Sequence, residues 1–286
     1  MNRHYRFLFS LLIPLSASAE KSEAVWKGPD KPVYVVTQNH YAVGFTPEGA
    51  TPRFEDLIAI EIIGGETPLT GEPSYRVGAH LSLFVAGERH GDVTIKQVMP
   101  LQCDSSAAVV TADSSVHLGK GTMALATNAE NVRSHGNNQR QPTETELDHA
   151  KLLAMNEFLK QGVPGKFSKD LEAEHLVVTR VDETEHELLV GSFFLEAEGA
   201  RHEIFLLVRL SSSEATTELA RYHKTADIED GKDSEEVRFV DQLDLDGDGM
   251  DEIVVEVTWY EGEAFVVYKR TSGSWTQVHV GGQGGC

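Results

Sequence analysis

Nine residues, Asp244-Leu245-Asp246-Gly247-Asp248-Gly249-Met250-Asp251-Glu252, restrict what this chain can build more than any other stretch does. Carboxylates at relative positions 1, 3, 5 and 9 (Asp244, Asp246, Asp248, Glu252), with the Met250 carbonyl at position 7, wrap oxygens around one point. Gly249 at position 6 permits the sharp turn that this needs. An all-oxygen set favours calcium over zinc or copper. Four carboxylates this close repel one another unless a cation compensates them, so the loop is expected to take calcium and to loosen without it. The plainer reading of the same residues is a solvated Asp/Gly turn between strands.

The residues after the loop decide its context. An EF-hand needs an acid at position 12 and a helix on each side. Position 12 here is Val255, inside Ile253-Val254-Val255-Glu256-Val257-Thr258-Trp259-Tyr260, a β-branched and aromatic run that reads as a strand. The pattern resembles the calcium loop of FG-GAP repeats in integrin-type β-propeller blades, where such a loop runs directly into an apolar strand. Glu252 stands where that family usually has Asp. The resemblance covers about residues 237 to 270 and occurs once, whereas a propeller of such repeats needs several copies. It implies a calcium loop and the strands that follow, and neither a whole propeller nor integrin function.

At the other end of the chain, Arg3 and Arg6 precede an apolar core, Phe7 to Leu15, and Ala17-Ser18-Ala19 supplies a small-residue cleavage pattern. Residues 1–19 therefore read as a secretory signal peptide cut after Ala19, and the protein as exported, to the periplasm or the medium. The run is far below the ~20 residues that span a bilayer, and no later segment is long and apolar enough, so the mature chain is expected to have no transmembrane segment. The formal charge of -20 becomes -22 when Arg3 and Arg6 leave. That balance argues against nucleic acid and anionic membrane surfaces as partners. It leaves calcium, basic proteins or simple solubility as its meaning; the partners expected are calcium and a protein or glycan ligand.

Two cysteines are present, Cys103 and Cys286. In an exported protein an even count favours a Cys103–Cys286 disulfide. Gly281-Gly282-Gln283-Gly284-Gly285 would give the terminal cysteine the reach. Two thiols, or an intermolecular bond, are the alternatives.

Alternation and turn residues predict strands over Pro32–Thr37, Tyr41–Phe45, Leu57–Ile63, Tyr75–Val85 and Val93–Met99. Leu81, Leu83 and Val85 share one face. Residues 20–112 then form an N-terminal β-rich region, and the Gly/Asn-rich residues 113–142 read as a polar linker or long loop. One helix is expected near 144–161. Thr143 with Glu146 forms a capping box; Leu147, Ala150, Ala154 and Phe158 form an apolar stripe joined by Leu152, Met155 and Leu159; Gly162 and Pro164 end it. Strands return at Leu176–Val181, Leu188–Leu195, Glu203–Leu210, Val237–Leu243, Glu252–Tyr260, Ala264–Arg270 and Ser274–Val280. Val255, Val257 and Trp259 on one face, with Val254 and Tyr260 on the other, give an interior strand. The acidic run Asp227–Glu236 reads as a solvated loop. The fold class is mainly β with one major helix (α+β), its antiparallel sheets forming a β-sandwich or a propeller-blade-like C-terminal meander in residues 143–286.

Twelve histidines raise the question of an enzyme, but His202-Glu203 and His186-Glu187 lack the second histidine of HExxH. Gly191-Ser192 lacks the flanks of a nucleophile elbow, and no P-loop or dinucleotide fingerprint occurs. Three readings remain: an exported calcium-stabilised binding or adhesion-like module, a structural exported protein, and a hydrolase whose site is dispersed along the chain.

Overall fold

The structure, a computed structural model, describes residues 26–38, 57–64, 75–100, 106–112, 118–119, 121–182, 187–211, 214–226, 233–260 and 262–285. The signal-peptide segment with Ala19, the strand expected over Tyr41–Phe45, most of the acidic run, and both Cys103 and Cys286 lie outside the described residues. Among the described residues no helix is long and apolar enough to cross a membrane.

Among the described residues, fourteen strands and one long helix stack in four layers. The first six strands are β1 (Val33–Gln38), β2 (Leu57–Ile63), β3 (His80–Val85), β4 (Glu88–Pro100), β5 (Ser106–Ala112) and β6 (Met123–Thr127). They close an antiparallel barrel in the order β1-β2-β5-β4-β3-β6. Its interior alternates large and small side chains: Leu81, Leu83, Val93 and Ile95 fill it beside Ala59, Ala108, Ala124 and Ala126. Val85 packs at the edge of the same cluster. Because the side-chain period of a strand is two, Tyr34 and Val36 point into the barrel while Val33 and Val35 point out of it. Yet the outward pair is also buried, because the second layer covers it.

That second layer is the sheet β11 (Glu235–Leu243), β12 (Glu252–Trp259), β13 (Gly262–Thr271) and β14 (Ser274–Gly285), a sequential antiparallel meander. Val254, Phe265 and Val267 meet Val33, Val35, Ile60 and Ile62 of the barrel. Its opposite face, with Val237, Ile253, Val255 and Val257, meets Val190, Phe205 and Leu207 of the third layer. Covered on both sides, β12 is buried from Glu252 to Val257, as the two apolar faces of its sequence require.

The third layer is β7 (Glu172–Thr179), β8 (Glu187–Ala197), β9 (Ala200–Leu210) and β10 (Ala215–Thr225), in the order β10-β9-β8-β7. Helix α1 (Glu144–Lys160) closes its outer face, with Ala150, Ala154, Met155 and Phe158 against Phe193, Ile204 and Leu206. The capping box is made as the sequence demands: Glu146 N–H donates to Thr143 Oγ1 at 3.3 Å, and Thr143 N–H to Glu146 Oε2 at 2.7 Å. Leu152 and Leu159, which adjoin the apolar stripe in sequence, lie on the exposed flank.

Met123–Thr127 falls inside 113–142, where the sequence predicts a linker, yet it pairs with both β1 and β3 to close the barrel. The remainder, 128–142, is a strap pinned to the layers. Asn131 Oδ1 accepts from Asp30 N, Ser134 Oγ donates to Gly87 O, and Gln139 Nε2 donates to Asp241 Oδ1 and Gln242 Oε1. Arg140 holds Glu146 of α1 and Glu187 of β8. The segment is polar because its side chains supply the hydrogen bonds that a strand would draw from a neighbouring backbone.

Between the second and third layers lies an acid that sets a pH dependence. Glu203 is 4 % exposed, accepts from Val237 N at 3.2 Å and has Arg201 at 3.8 Å. Burial pushes its carboxyl from 4.5 up to about 7. An acid raised on folding contributes its stability below the unfolded value and loses it as pH climbs through the folded one, so the cost appears between pH 4.5 and 7. At 1.36 kcal/mol per pH unit it is at most roughly 3 kcal/mol. Glu203→Gln keeps an acceptor for Val237 and removes the proton. Urea midpoints at pH 5 and pH 8 should therefore lie closer together in the variant than in the parent; an unchanged gap would place the cost elsewhere.

Candidate metal centre

The loop 244–252 joins β11 to β12 at the edge of the middle sheet, between the barrel and the strap. Gly249 has φ +91°, the left-handed backbone that its position demands. Asp244 is fully buried, and its carboxylate organises the turn: Oδ1 accepts from Gly247 N at 2.7 Å and Asp248 N at 3.1 Å, and Oδ2 from Gly249 N at 2.9 Å. Glu252, also fully buried, turns Oε2 to the Leu245 N–H at 2.7 Å. Carboxylate oxygens of Asp244, Asp246 and Glu252 lie within 4.8 Å of one another. Three of the sequence-expected ligands therefore converge. Asp248 is half exposed and reaches the same point from outside, while Met250 donates its N–H to Asp248 Oδ1 at 3.0 Å. Val255 is buried in the core between the sheets, so the loop has no twelfth-position ligand.

A residue that carries no motif signal stands at the centre. The Lys269 ammonium, from β13, lies 3.0 Å from Asp246 Oδ1, 2.7 Å from Asp248 Oδ2 and 2.7 Å from Glu252 Oε1. The hairpin register places it there: Ile253 pairs with Tyr268, so the next pair outward is Glu252 with Lys269. Burial alone would lower the Lys269 pKa, but its hydrogen bonds to Asp248 and Glu252 outweigh that and hold it above its ordinary value. For Glu252 burial is the larger influence, and its carboxyl is raised despite the ammonium. The three contacts show that the converging oxygens form a position for a cation. The donor set fits a hard divalent ion, since every ligand offered is oxygen.

Asp251, at the non-ligand position 8, faces the other way. It is 2 % exposed, its N–H donates to Val181 O at 2.7 Å, and its Oδ1 lies 2.7 Å from His135 Nδ1. Arg133 N–H donates to Asp244 O at 2.9 Å. A Cβ at Gly247 would come within 2.6 Å of the Asn131 carbonyl oxygen, so the strap rests directly on the loop. Asn131, Arg133 and His135 thus brace the site from a segment that sequence alone assigns to a linker.

A second grouping, Glu174, His175 and Glu236, lies exposed on the rim between the middle and third layers. His175 Nε2 is 3.2 Å from Glu236 Oε1, and that hydrogen bond draws Glu236 below the usual carboxylate range. His202, the histidine of an incomplete zinc motif, is buried with Nδ1 2.8 Å from the Tyr222 hydroxyl, a structural role. The chain matches no family model, no curated protein and no solved structure.

Proposed function

We propose that the protein is an exported calcium-stabilised module with a binding or structural role, whose loop 244–252 takes the ion through Asp244, Asp246, Asp248, Glu252 and the Met250 carbonyl. The observation that carries this reading is the convergence of Asp244, Asp246 and Glu252 oxygens within 4.8 Å at the point where Lys269 already places a positive charge. Calcium supplies a double charge where the ammonium supplies one. The chain's own residues set the consequences: Asp244 and Glu252 hold the turn through backbone N–H groups, and Lys269 must withdraw along its flexible stem for the oxygens to close on an ion. Export is supported by the Arg3-to-Ala19 pattern alone.

Extracellular calcium modules bind with dissociation constants of ~0.1 to 1 mM, and a ligand at ~100 times that constant adds about 2.7 kcal/mol. For a chain of this size that corresponds to a melting shift of about 5 to 10 °C. Magnesium should give less, because it gives up its waters reluctantly. Asp248→Ala, at a half-exposed side chain, should remove the calcium-dependent part with little change in the metal-free melting point. Asp251→Ala should lower the baseline and keep the shift. A melting temperature indifferent to calcium in metal-free parent protein would reduce the loop to a lysine-neutralised acidic turn.

A further inference from the structure

Four strand ends meet at the far end of β12 from the loop, roughly 23 Å away at ~3.3 Å per residue. The start of β9, the end of β10, the start of β11 and the end of β12 enclose a pocket of about 300 Å³. Trp259 and Tyr260 line it and are 42 % and 58 % exposed. Among the described residues these are the only aromatic side chains in the set of exposed large hydrophobics, and both are at this one place. The pairing explains why the indole is uncovered: across the hairpin Trp259 faces Gly262, which has no side chain to lay over it.

The polar lining is set in fixed positions. Glu235 is gripped by the Arg221 guanidinium at 2.8 and 3.0 Å, and Glu236 by His175. Arg201 sits over the Phe194 ring, its Cζ 4.1 Å from the ring centroid, with Glu203 3.8 Å away. Thr258 and Ser234 add hydroxyls. Arg221 and Arg201 stand beside Glu235 and Glu203, and His175 hydrogen-bonds Glu236, so the pocket's polar groups are held in place. What remains is two ring faces beside rigid, planar donors and acceptors. A pyranose has the complementary surface, with apolar C–H faces that stack on aromatic rings and equatorial hydroxyls that bridge Arg and carboxylate groups. The volume is at the small end of ligand pockets and suits one ring.

We propose that this pocket binds a neutral glycan through a single pyranose unit stacked on Trp259 and Tyr260 and hydrogen-bonded by Arg201 and Glu236. The site deepens the binding role above by naming a ligand class, yet none of its residues belongs to the calcium loop, so the two readings fail separately. The full chain, with and without calcium, would be titrated calorimetrically with neutral trisaccharides built of glucose, galactose or N-acetylglucosamine, and in parallel with tetramethylammonium. At least one trisaccharide should bind saturably below ~1 mM, and Trp259→Ala, at an exposed position, should weaken it about tenfold or more. Tyr260→Ala and Arg201→Met should weaken the same sugar, whereas Leu152→Ala, on the exposed flank of α1, should leave it unchanged. The proposal is overturned if no trisaccharide binds, if binding survives both aromatic substitutions, or if tetramethylammonium alone binds in a Trp259-dependent way, which would make the pocket a cation cage.

Discussion

Lys269→Met is expected to destabilise the metal-free protein by about 3 to 5 kcal/mol, and millimolar calcium to restore most of that loss. Methionine keeps the apolar stem that packs under the loop, so what is removed is the charge. In the parent, the Lys269 side chain is 11 % exposed and its ammonium satisfies oxygens of Asp246, Asp248 and the fully buried Glu252. Removing one member of a buried ion pair leaves the other uncompensated, which costs far more than the pair itself contributes. Glu252 can relieve part of this by taking a proton, since burial has already raised its pKa, so the lower end of the range is expected near neutral pH.

The calcium arm separates two accounts of the same geometry. If the oxygens form an ion site in which Lys269 holds the place, the variant loses a competitor, and its calcium affinity should rise about tenfold over the parent, read by titration calorimetry. If they form only a lysine-braced turn, calcium will leave the variant as unstable as it was. A loss of stability that calcium does not repair, in a variant with the parent's circular dichroism, would sink the metal reading and leave the glycan pocket untouched.

Wherever the pattern is local and strongly periodic, the elements lie where alternation predicts them. The helix runs Glu144–Lys160 against an expected 144–161, and β2 spans Leu57–Ile63 as read from its apolar run. Three strands carried no such signal, among them β6, Met123–Thr127, in the segment read as a linker. β5, Ser106–Ala112, is built mostly of small residues because it lines a narrow barrel, and small residues are weak strand markers. β10, Ala215–Thr225, is an edge strand with a mostly half-exposed pattern. Polar contacts help tie it to the middle sheet: Glu218 accepts from Arg270 and from Trp275 Nε1. Barrel closure was not legible at all, because it rests on β2–β5 and β3–β6 pairings across long sequence separations, which no window of the sequence contains.

The site divides along the same line. Its acidic ligands are contiguous and announce themselves by spacing. Lys269 belongs to it only through hairpin register, and Asn131, Arg133 and His135 only through tertiary docking. The register was not recoverable from the turn residues: a hairpin drawn around Glu261-Gly262-Glu263 pairs 260 with 264 and sets 252 against 272, whereas the observed pairing of Trp259 with Gly262 brings 252 opposite 269. A lysine facing the last ligand of an acidic loop is a competitor for its ion.

Gly281→Ala is expected to disrupt the seam between the barrel and the middle sheet. By sequence, Gly281 to Gly285 reads as a flexible lead to the terminal cysteine, but these residues are the end of β14 and pair with β13. There β14 runs against the back of β2. His279 Nε2 donates to the Ile62 carbonyl at 2.9 Å, and a Cβ at Gly281 would fall far inside van der Waals contact distance of that same oxygen while meeting His279 Nε2 at 2.8 Å. Neither obstacle can swing aside, since one is backbone and the other is the ring that makes the bond. The neighbouring Gly282 is as confined: a side chain there would meet Phe265 at 2.8 Å, and its φ of +61° favours glycine in any case. Overpacking in a filled core costs about 1 to 3 kcal/mol when neighbours can adjust. With backbone as the neighbour, the cost at Gly281 should reach at least that upper end, lowering the melting temperature by about 6 to 12 °C. Gly165→Ala is the matched control, since its Cβ would find Leu159 at an ordinary 3.5 Å and should change little. If the barrel depends on this seam, thermal unfolding of Gly281→Ala should separate into two transitions, the barrel melting apart from the paired sheets. A single transition at the parent's temperature would mean that β14 can leave β2 without consequence and that Val33, Val35 and Ile60 hold the barrel to Val254 and Val267 by themselves.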